Sequence, residues 1–406
     1  MIRHIFKLIW NRKRTNFLMM TEIFVSFLVL FAVVALAVYT ADNWRRPLGF
    51  SIERVWAISV DMKQVSDDDF TAAQQETTRQ LMLALSEFRE IEKVAGTMGA
   101  PYQFGSWNSG YQWHGRRIEF GVAEVTDDFK DVLGLDIVEG RWFTRDDDGQ
   151  GYDAVVINQD MRRDLFGHGV ALGQNIANDR SPDSSEAVRE KRVVGVVSAY
   201  REDGEFDGER NYVLYRKTMV GTADRRNRPP RSLLIKVAPG TGAAFEQRLI
   251  KRLQAVAPEW SFEVSTVDSM RDTSIRFAMV PLAAVGLVAG FLMLMVALGL
   301  LGVLWQNVTQ RTREMGLRRA KGAAKVNVQR QILGEITVMT SLALLAGVLV
   351  AIQFPLLDII YFVEPHVYAI GLAISVSAMY LLTLACAWYP SRMATRVEPA
   401  EALRYE

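Results

Sequence analysis

The sequence predicts a membrane protein with four transmembrane α-helices and a large α+β extracytoplasmic domain inserted between helices 1 and 2. Three observations carry this reading. Four apolar runs, Phe17–Tyr39, Phe277–Trp305, Ile332–Phe354 and Val367–Trp388, each reach the roughly 20 residues that a helix needs to cross hydrocarbon. The stretch between the first two, Ala41–Ser274, is polar, mixed in pattern and, at roughly 235 residues, large enough for one or two packed domains. The connector Gln306–Gln331 carries Arg311, Arg313, Arg318, Arg319, Lys321, Lys325 and Arg330 against one acid, Glu314. Short Lys/Arg-rich loops stay in the cytoplasm, so the large insert lies outside it and both termini lie inside.

The 406 residues are 50% hydrophobic with a formal net charge of +1. Bulk charge therefore gives no reason to expect a nucleic-acid partner. The single cysteine, Cys386, falls within an apolar run, which excludes a disulfide framework and a cysteine-rich metal site.

Along the chain, residues 1–16 hold Arg3, Lys7, Arg12, Lys13 and Arg14 with Ile2, Ile5, Phe6, Ile9 and Trp10 at helical spacing. This is the pattern of an amphipathic helix lying on the membrane surface. The run that follows is longer than a signal peptide's apolar region, so residues 17–40 form a retained span. Glu22 sits about one turn inside it, where a long side chain reaches the interface; an interfacial carboxylate and a functional one both remain open.

In the external insert, strand Val55–Val60, a helix within Phe70–Ile91 and strand Val94–Met98 are echoed by strand Ser232–Val237, helix Phe245–Val256 and strand Ser261–Val264. Two β-α-β units (about residues 50–98 and 231–266) thus bracket a strand-rich middle, about 99–230. There, Tyr111–Ile118 reads as a hairpin turning at His114-Gly115. Val122–Val125, Ala154–Ile157 and Val193–Val197 read as strands, Thr126 as the cap of a helix through Leu133, and Asn178–Glu190 as a loop. The helical pattern of the second span, residues 275–305, begins earlier, near Val267. Its apolar run of about 29 residues is about 43 Å long against a hydrocarbon core of about 30 Å, so the excess tilts or projects outward as a stalk. Pro281 is a candidate kink. Residues 332–354 form the third span, 355–366 an outer loop, 367–388 the fourth span and 389–406 a cytoplasmic tail.

No Gly-x-x-x-x-Gly-Lys-Ser/Thr occurs, so the chain has no P-loop, and no His-Glu-x-x-His occurs either. Asp146-Asp147-Asp148-Gly149 resembles part of a calcium loop but places Thr144 and Val155 at the first and twelfth positions, which leaves a solvated acidic turn. The basic run Arg225–Arg231 reads as an exposed loop, and Trp107, Trp113 and Trp142 as core or binding-face aromatics. Nothing here supports an enzyme acting alone. If the connector is helical, Arg311, Arg318, Lys321 and Lys325 share one side, opposite Gly316, Leu317, Ala320, Ala323 and Ala324. A basic face on anionic lipid and a small-residue face seated on a partner both satisfy that pattern.

Thr312–Ala323 (TREMGLRRAKGA), ahead of a span containing LGEI, and the tail YPSRMATRVEPAEALRYE together closely resemble the permease subunits of MacB/FtsX-type ABC transporters, also called type VII or mechanotransmission transporters. EGRWF (Glu139–Phe143), Asp153–Gly167, Ala171–Ile176 and Arg192–Val197 resemble that family's external core domain. The resemblance implies a porter part of two β-α-β units with an inserted part, a dimer of permeases, and a coupling helix docking on an ATPase. The coupling residues would be Arg311, Thr312, Arg313, Glu314, Gly316, Leu317, Arg318, Ala320, Gly322 and Ala323. It also implies a place in the bacterial inner membrane and a separate ATPase subunit holding ATP and Mg, with no cofactor on this chain. The second permease, identical or different, a periplasmic adaptor and an outer-membrane channel are further implied partners. Export of an antimicrobial peptide or macrolide-like compound is the leading expectation. Lipoprotein release and mechanical regulation of an envelope enzyme are the rivals.

Overall fold

The computed structural model describes residues 13–63, 71–103, 105, 108–113, 116–176, 189–206, 208, 210–218, 228–310, 324–357 and 363–394. The chain divides into two compact units, residues 43–278 and residues 1–42 with 279–406.

Among the described residues, four helices are long and apolar enough to span a membrane, with candidate spans Phe17–Arg45, Val267–Val303, Gln329–Leu356 and Pro365–Arg392. The second belongs to a single 44-residue helix, Val267–Gln310, that continues through Pro281. At 1.5 Å per residue it is about 66 Å long, twice the hydrocarbon thickness of about 30 Å. The last helix runs on through Pro390 to Ala394, beyond the apolar run that ends at Trp388. The Ser391 hydroxyl supports that turn by donating to the Trp388 carbonyl (2.8 Å).

In the membrane unit, Met19, Ile23, Phe27 and Phe31 form a buried stripe at i, i+4 spacing on the first helix. They share a core with Val296 and Leu300, Ile336, Met339 and Ala343, and Met379 and Ala387. Small residues admit the close approaches: a Cβ at Gly347 would strike the Phe27 ring, and Gly371 lies against the Ala35 backbone. Thr337, Ser341, Ser375 and Thr383 return their hydroxyls to carbonyls of the preceding turn, which satisfies them without water.

The external unit is built on a ten-stranded sheet among the described residues. Its strands are β1 (Val55–Asp61), β2 (Ile91–Thr97), β3 (Asn108–Trp113), β4 (Arg116–Val125), β5 (Ile137–Gly140), β6 (Asp153–Asn158), β7 (Lys191–Val197), β8 (Tyr212–Arg216), β9 (Ser232–Val237) and β10 (Ser261–Thr266). The order is β10-β1-β9-β2-β4-β8-β6-β7-β5, with β3 on β4. The first four strands are antiparallel neighbours. Their connections through helices Ala72–Ser86 and Ala243–Val256 skip one strand each, the split β-α-β arrangement. Strict alternation buries both faces. Trp56, Ile58, Leu233 and Ile235 pack under the two helices, while Val55, Ala57, Ala95 and Leu234 join a second core with Ala123, Val125, Val156 and Leu214 from the middle strands. Bracketing units and inserted middle therefore share one core, although the strand pairing between them is a single pair, Thr97↔Val125.

Local details depart from the sequence reading. Thr126 does not cap the helix that follows. That helix is Phe129–Leu133, and its N-cap residue, Asp128, makes no side-chain cap. The Thr126 hydroxyl instead accepts the Gly96 N–H (2.9 Å) and ties β4 to β2. The acidic turn is solvated at Asp146, Asp148 and Gly149 but not at Asp147, which is buried against Arg141 (2.6 and 2.9 Å); Asp148 pairs with Arg216, which also grips Asp127. Burial pushes the Asp147 carboxyl up, but hydrogen bonds from Arg141 and the Thr144 N–H hold it below its ordinary value. Arg228, in the run read as exposed, reaches Glu124 (3.4 Å) beside Lys217 (2.6 Å). Trp142 is core, its indole N–H donating to the Asp127 carbonyl (2.7 Å). The His114-Gly115 turn, Trp107 and most of the Asn178–Glu190 loop lie outside the described residues.

Two glycines make room for tyrosines: a Cβ at Gly121 would overlap the Tyr212 ring, and one at Gly204 (φ +90°) would overlap Tyr102. Asn158 closes β6. Its Oδ1 accepts from Met161 N–H and Tyr212 N–H (both 3.0 Å), and its Nδ2 donates to the Arg210 carbonyl (2.7 Å). Asn158→Ala removes a helix cap and leaves buried backbone groups unpaired. It should cost about 2–4 kcal/mol, read as a lowered thermal midpoint of the purified chain; an unchanged midpoint would contradict this bonding.

Candidate functional site

The segment expected to dock on an ATPase, Arg311, Thr312, Arg313, Glu314, Gly316, Leu317, Arg318, Ala320, Gly322 and Ala323, lies outside the described residues. The helices on either side of it, Val267–Gln310 and Lys325–Ala351, are described. Just past it, Gln331 donates to Glu335 (3.2 Å) in the third span.

The structure draws attention instead to a polar joint where the external unit begins and ends, built by Tyr200–Phe206. Helix Lys13–Arg45 ends in carbonyls that have no partner within the helix. The Arg201 guanidinium supplies donors to the Asn43 carbonyl (3.0 Å) and the adjoining Arg46 carbonyl (3.2 Å), a cation placed where the helix dipole favours one. Its other nitrogen donates to the Glu205 carbonyl (3.1 Å), and its own N–H donates to the Leu48 carbonyl (3.1 Å). The Glu205 carboxylate, 5% exposed, accepts from Arg271 Nε (2.5 Å) and from the Tyr102 hydroxyl (3.1 Å). Arg271 stands on the first turns of helix Val267–Gln310 and also lies over the Trp44 ring (5.8 Å), which packs on Phe206 (5.5 Å). Residues from the end of one long helix and the start of another thus converge on one seven-residue loop.

The electrostatics match. The bond to Glu205 holds the Arg271 guanidinium above its ordinary value. Burial, with the neighbouring Glu205, pushes the Tyr102 hydroxyl well up, so it stays a donor. Glu202 is 6% exposed. Burial, with Asp203 adding and Arg210 opposing, pushes its carboxyl up to about 8. The aromatic rings of Phe50, Tyr102, Phe129, Tyr200 and Tyr212 meet edge-on or tilted at 5.2–6.1 Å above the loop. Of these rings, Tyr102 reaches the ion pair, whose Glu205 side is buried while the Arg271 side chain stays partly exposed. Nothing in the sequence singles out this loop: REDGEF is a short run of charges, and the one cue is its place just after the apolar strand β7.

The fold and joint define a class: a multi-pass membrane protein whose external α+β domain sits between its first two spans. Residues 17–252 match the MacB-like periplasmic core domain and residues 286–399 the FtsX-like permease C-terminal domain. The chain belongs to this MacB/FtsX-type family of ABC transporter permeases. It is 26% identical over 302 residues to the ABC transporter permease YknZ of Bacillus subtilis, covering 73% of this chain and 72% of that one. Over 239 residues it is 24% identical to the macrolide export ATP-binding/permease protein MacB of Aggregatibacter actinomycetemcomitans, covering 57% of this chain but 34% of the relative. The crystal structure of the periplasmic region of MacB from Actinobacillus actinomycetemcomitans aligns with 54% of this chain and 92% of its own at 17% identity, with a TM-score of 0.37.

Glu202 gives the joint a pH signature. A folded carboxyl near 8, against 4.5 ordinarily, keeps a proton that the unfolded chain releases between those values. Stability therefore falls as pH rises from about 4.5 to about 8 and levels off above. Glu202→Gln stays neutral throughout, so it should remove a decline on the order of a few kcal/mol, seen as a higher thermal midpoint at pH 8 and little change at pH 5. Equal shifts at both pH values would place the Glu202 carboxylate in contact with water.

Proposed function

We propose that the chain is the permease subunit of an ABC exporter in the bacterial inner membrane, with both termini cytoplasmic. In this reading a separate ATPase subunit binds at residues 306–331, a second permease completes a dimer, and substrate is handled by the external domain, with an adaptor and outer-membrane channel beyond it. The observation that carries it is the joint, in which Arg201 and Glu205 seat the ends of two long helices on a single loop. A displacement of either helix at its far end would reach the external sheet through that loop, because packed interiors transmit strain. Family membership supports the ABC assignment. The absence of a P-loop from these 406 residues supports ATP hydrolysis on a partner. The relatives named for macrolide export support a macrolide-like cargo; an antimicrobial peptide is the other cargo class in this reading.

Two variants separate docking from transmission. Gly316→Trp overpacks the small-residue face, which typically costs about 1–3 kcal/mol, and should weaken co-purification of the ATPase about tenfold. Undiminished binding and activity would mark the segment as a lipid anchor. Arg271→Ala should leave ATPase binding intact while reducing, about fivefold or more, the ATP-driven change in distance between spin labels at Leu83→Cys of two permeases, in a Cys386→Ser background. A full distance change in that variant would show that motion reaches the external unit by another route.

A further inference from the structure

Between the first and second spans runs a groove that the export reading does not use. It encloses a cavity of about 150 Å³ within the membrane unit. Its walls come from Glu22, Val25 and Val29 on one helix and Leu292, Met293 and Val296 on the other. These positions recur every three or four residues, so the groove follows the helices for about 10 Å. It is apolar except at one end. There Ser26 turns its hydroxyl back to the Glu22 carbonyl (2.6 Å), which leaves the Glu22 carboxylate as the one charge. Gly299 clears a place for that carboxylate: a Cβ there would overlap it.

Among the described residues, no hydrogen bond or ion pair engages the Glu22 carboxylate. A charged side chain inside a span is costly unless it meets a partner or reaches the interface, and it commonly marks a ligand or ion path. The nearest described spans offer hydrocarbon and thioether groups instead.

We propose that this groove binds a single-chain cationic amphiphile drawn from the bilayer, its ammonium on Glu22 and its alkyl chain along Val25, Val29 and Leu292. Charge complementarity selects a cation, and an ammonium brings three donors to a carboxylate that has none. Size selects one chain, since the cavity is half the roughly 300 Å³ at which drug-sized pockets begin. This assignment is independent of which substrate the external domain handles and of whether an ATPase is bound.

The test uses the full chain in lipid nanodiscs and dodecylamine bearing a photoactivatable diazirine in its tail. Labelling should map to residues 22–30 and 289–296, be displaced by dodecylamine and resist dodecyl sulfate of equal chain length. Glu22→Gln should lower it about tenfold. Val29→Trp fills the groove yet spares the carboxylate, and should lower it as much; both variants are checked for unchanged elution and thermal midpoint. Where Glu22→Gln alters either, Val29→Trp and the competition by chain charge decide the matter. Labelling spread over all lipid-facing spans, equal competition by dodecyl sulfate, or insensitivity to Val29→Trp would overturn the assignment. So would complete disulfide-linked dimer formation by Val25→Cys in a Cys386→Ser background without labelling, which would show that a second copy covers the groove.

Discussion

The external unit depends on the satisfaction of a helix end. A membrane helix that stops beside a folded domain presents carbonyl groups that neither the helix nor bulk water completes. Here one buried guanidinium, Arg201, meets the Asn43 and Arg46 carbonyls, and the loop that carries it offers Glu205 to Arg271 and Tyr102. Removing Arg271 leaves the buried Glu205 carboxylate without its cation, which is why pairs with a buried member are costly to break even where they contribute little when whole. The position of the loop therefore follows from the chain's passage into and out of the domain.

The sheet explains how that loop is held. β1 and β9 are apolar on alternate residues toward both faces, so one face serves the two flanking helices and the other the core shared with β4, β6 and β8. A single backbone pair joins the two parts of the sheet, and side-chain packing supplies the rest. On the far side of the middle strands, Val193 and Val196 of β7 face the same core despite odd spacing, because the register slips between the residues paired with Val155 and Val156.

Much of this was legible in the sequence. The spans announce themselves by length and lack of charge, and the paired β-α-β units by strands whose alternation survives burial. Ser232–Val237 matches its strand at both ends. What was missed has physical causes. β5 is only four residues with neither face deeply buried, and β8 is a five-residue run, YVLYR, without a polar–apolar alternation to mark it. Thr126 looked like a cap because a hydroxyl before a helix is the usual cap signal, yet the nearer donor was the Gly96 amide across the sheet. Above all, charge in sequence does not reveal pairing in space. Asp147 reads as part of a solvated turn, and Glu202, Glu205 and Lys217 give no sequence signal at all, yet all four are buried. The segment singled out for ATPase docking was chosen on small residues and family resemblance, and its geometry falls outside the described residues.

The two glycine–tyrosine fits have an evolutionary corollary. At Gly121 and Gly204 the space a side chain would need is already taken by the rings of Tyr212 and Tyr102. Neither member of a pair can change alone without either a clash or a void beside the ion-paired loop. Across relatives, positions 121 and 212 should behave as one inherited character and positions 102 and 204 as another. Divergence at the joint is thereby channelled into paired replacements, which slows its drift relative to the exposed faces around it.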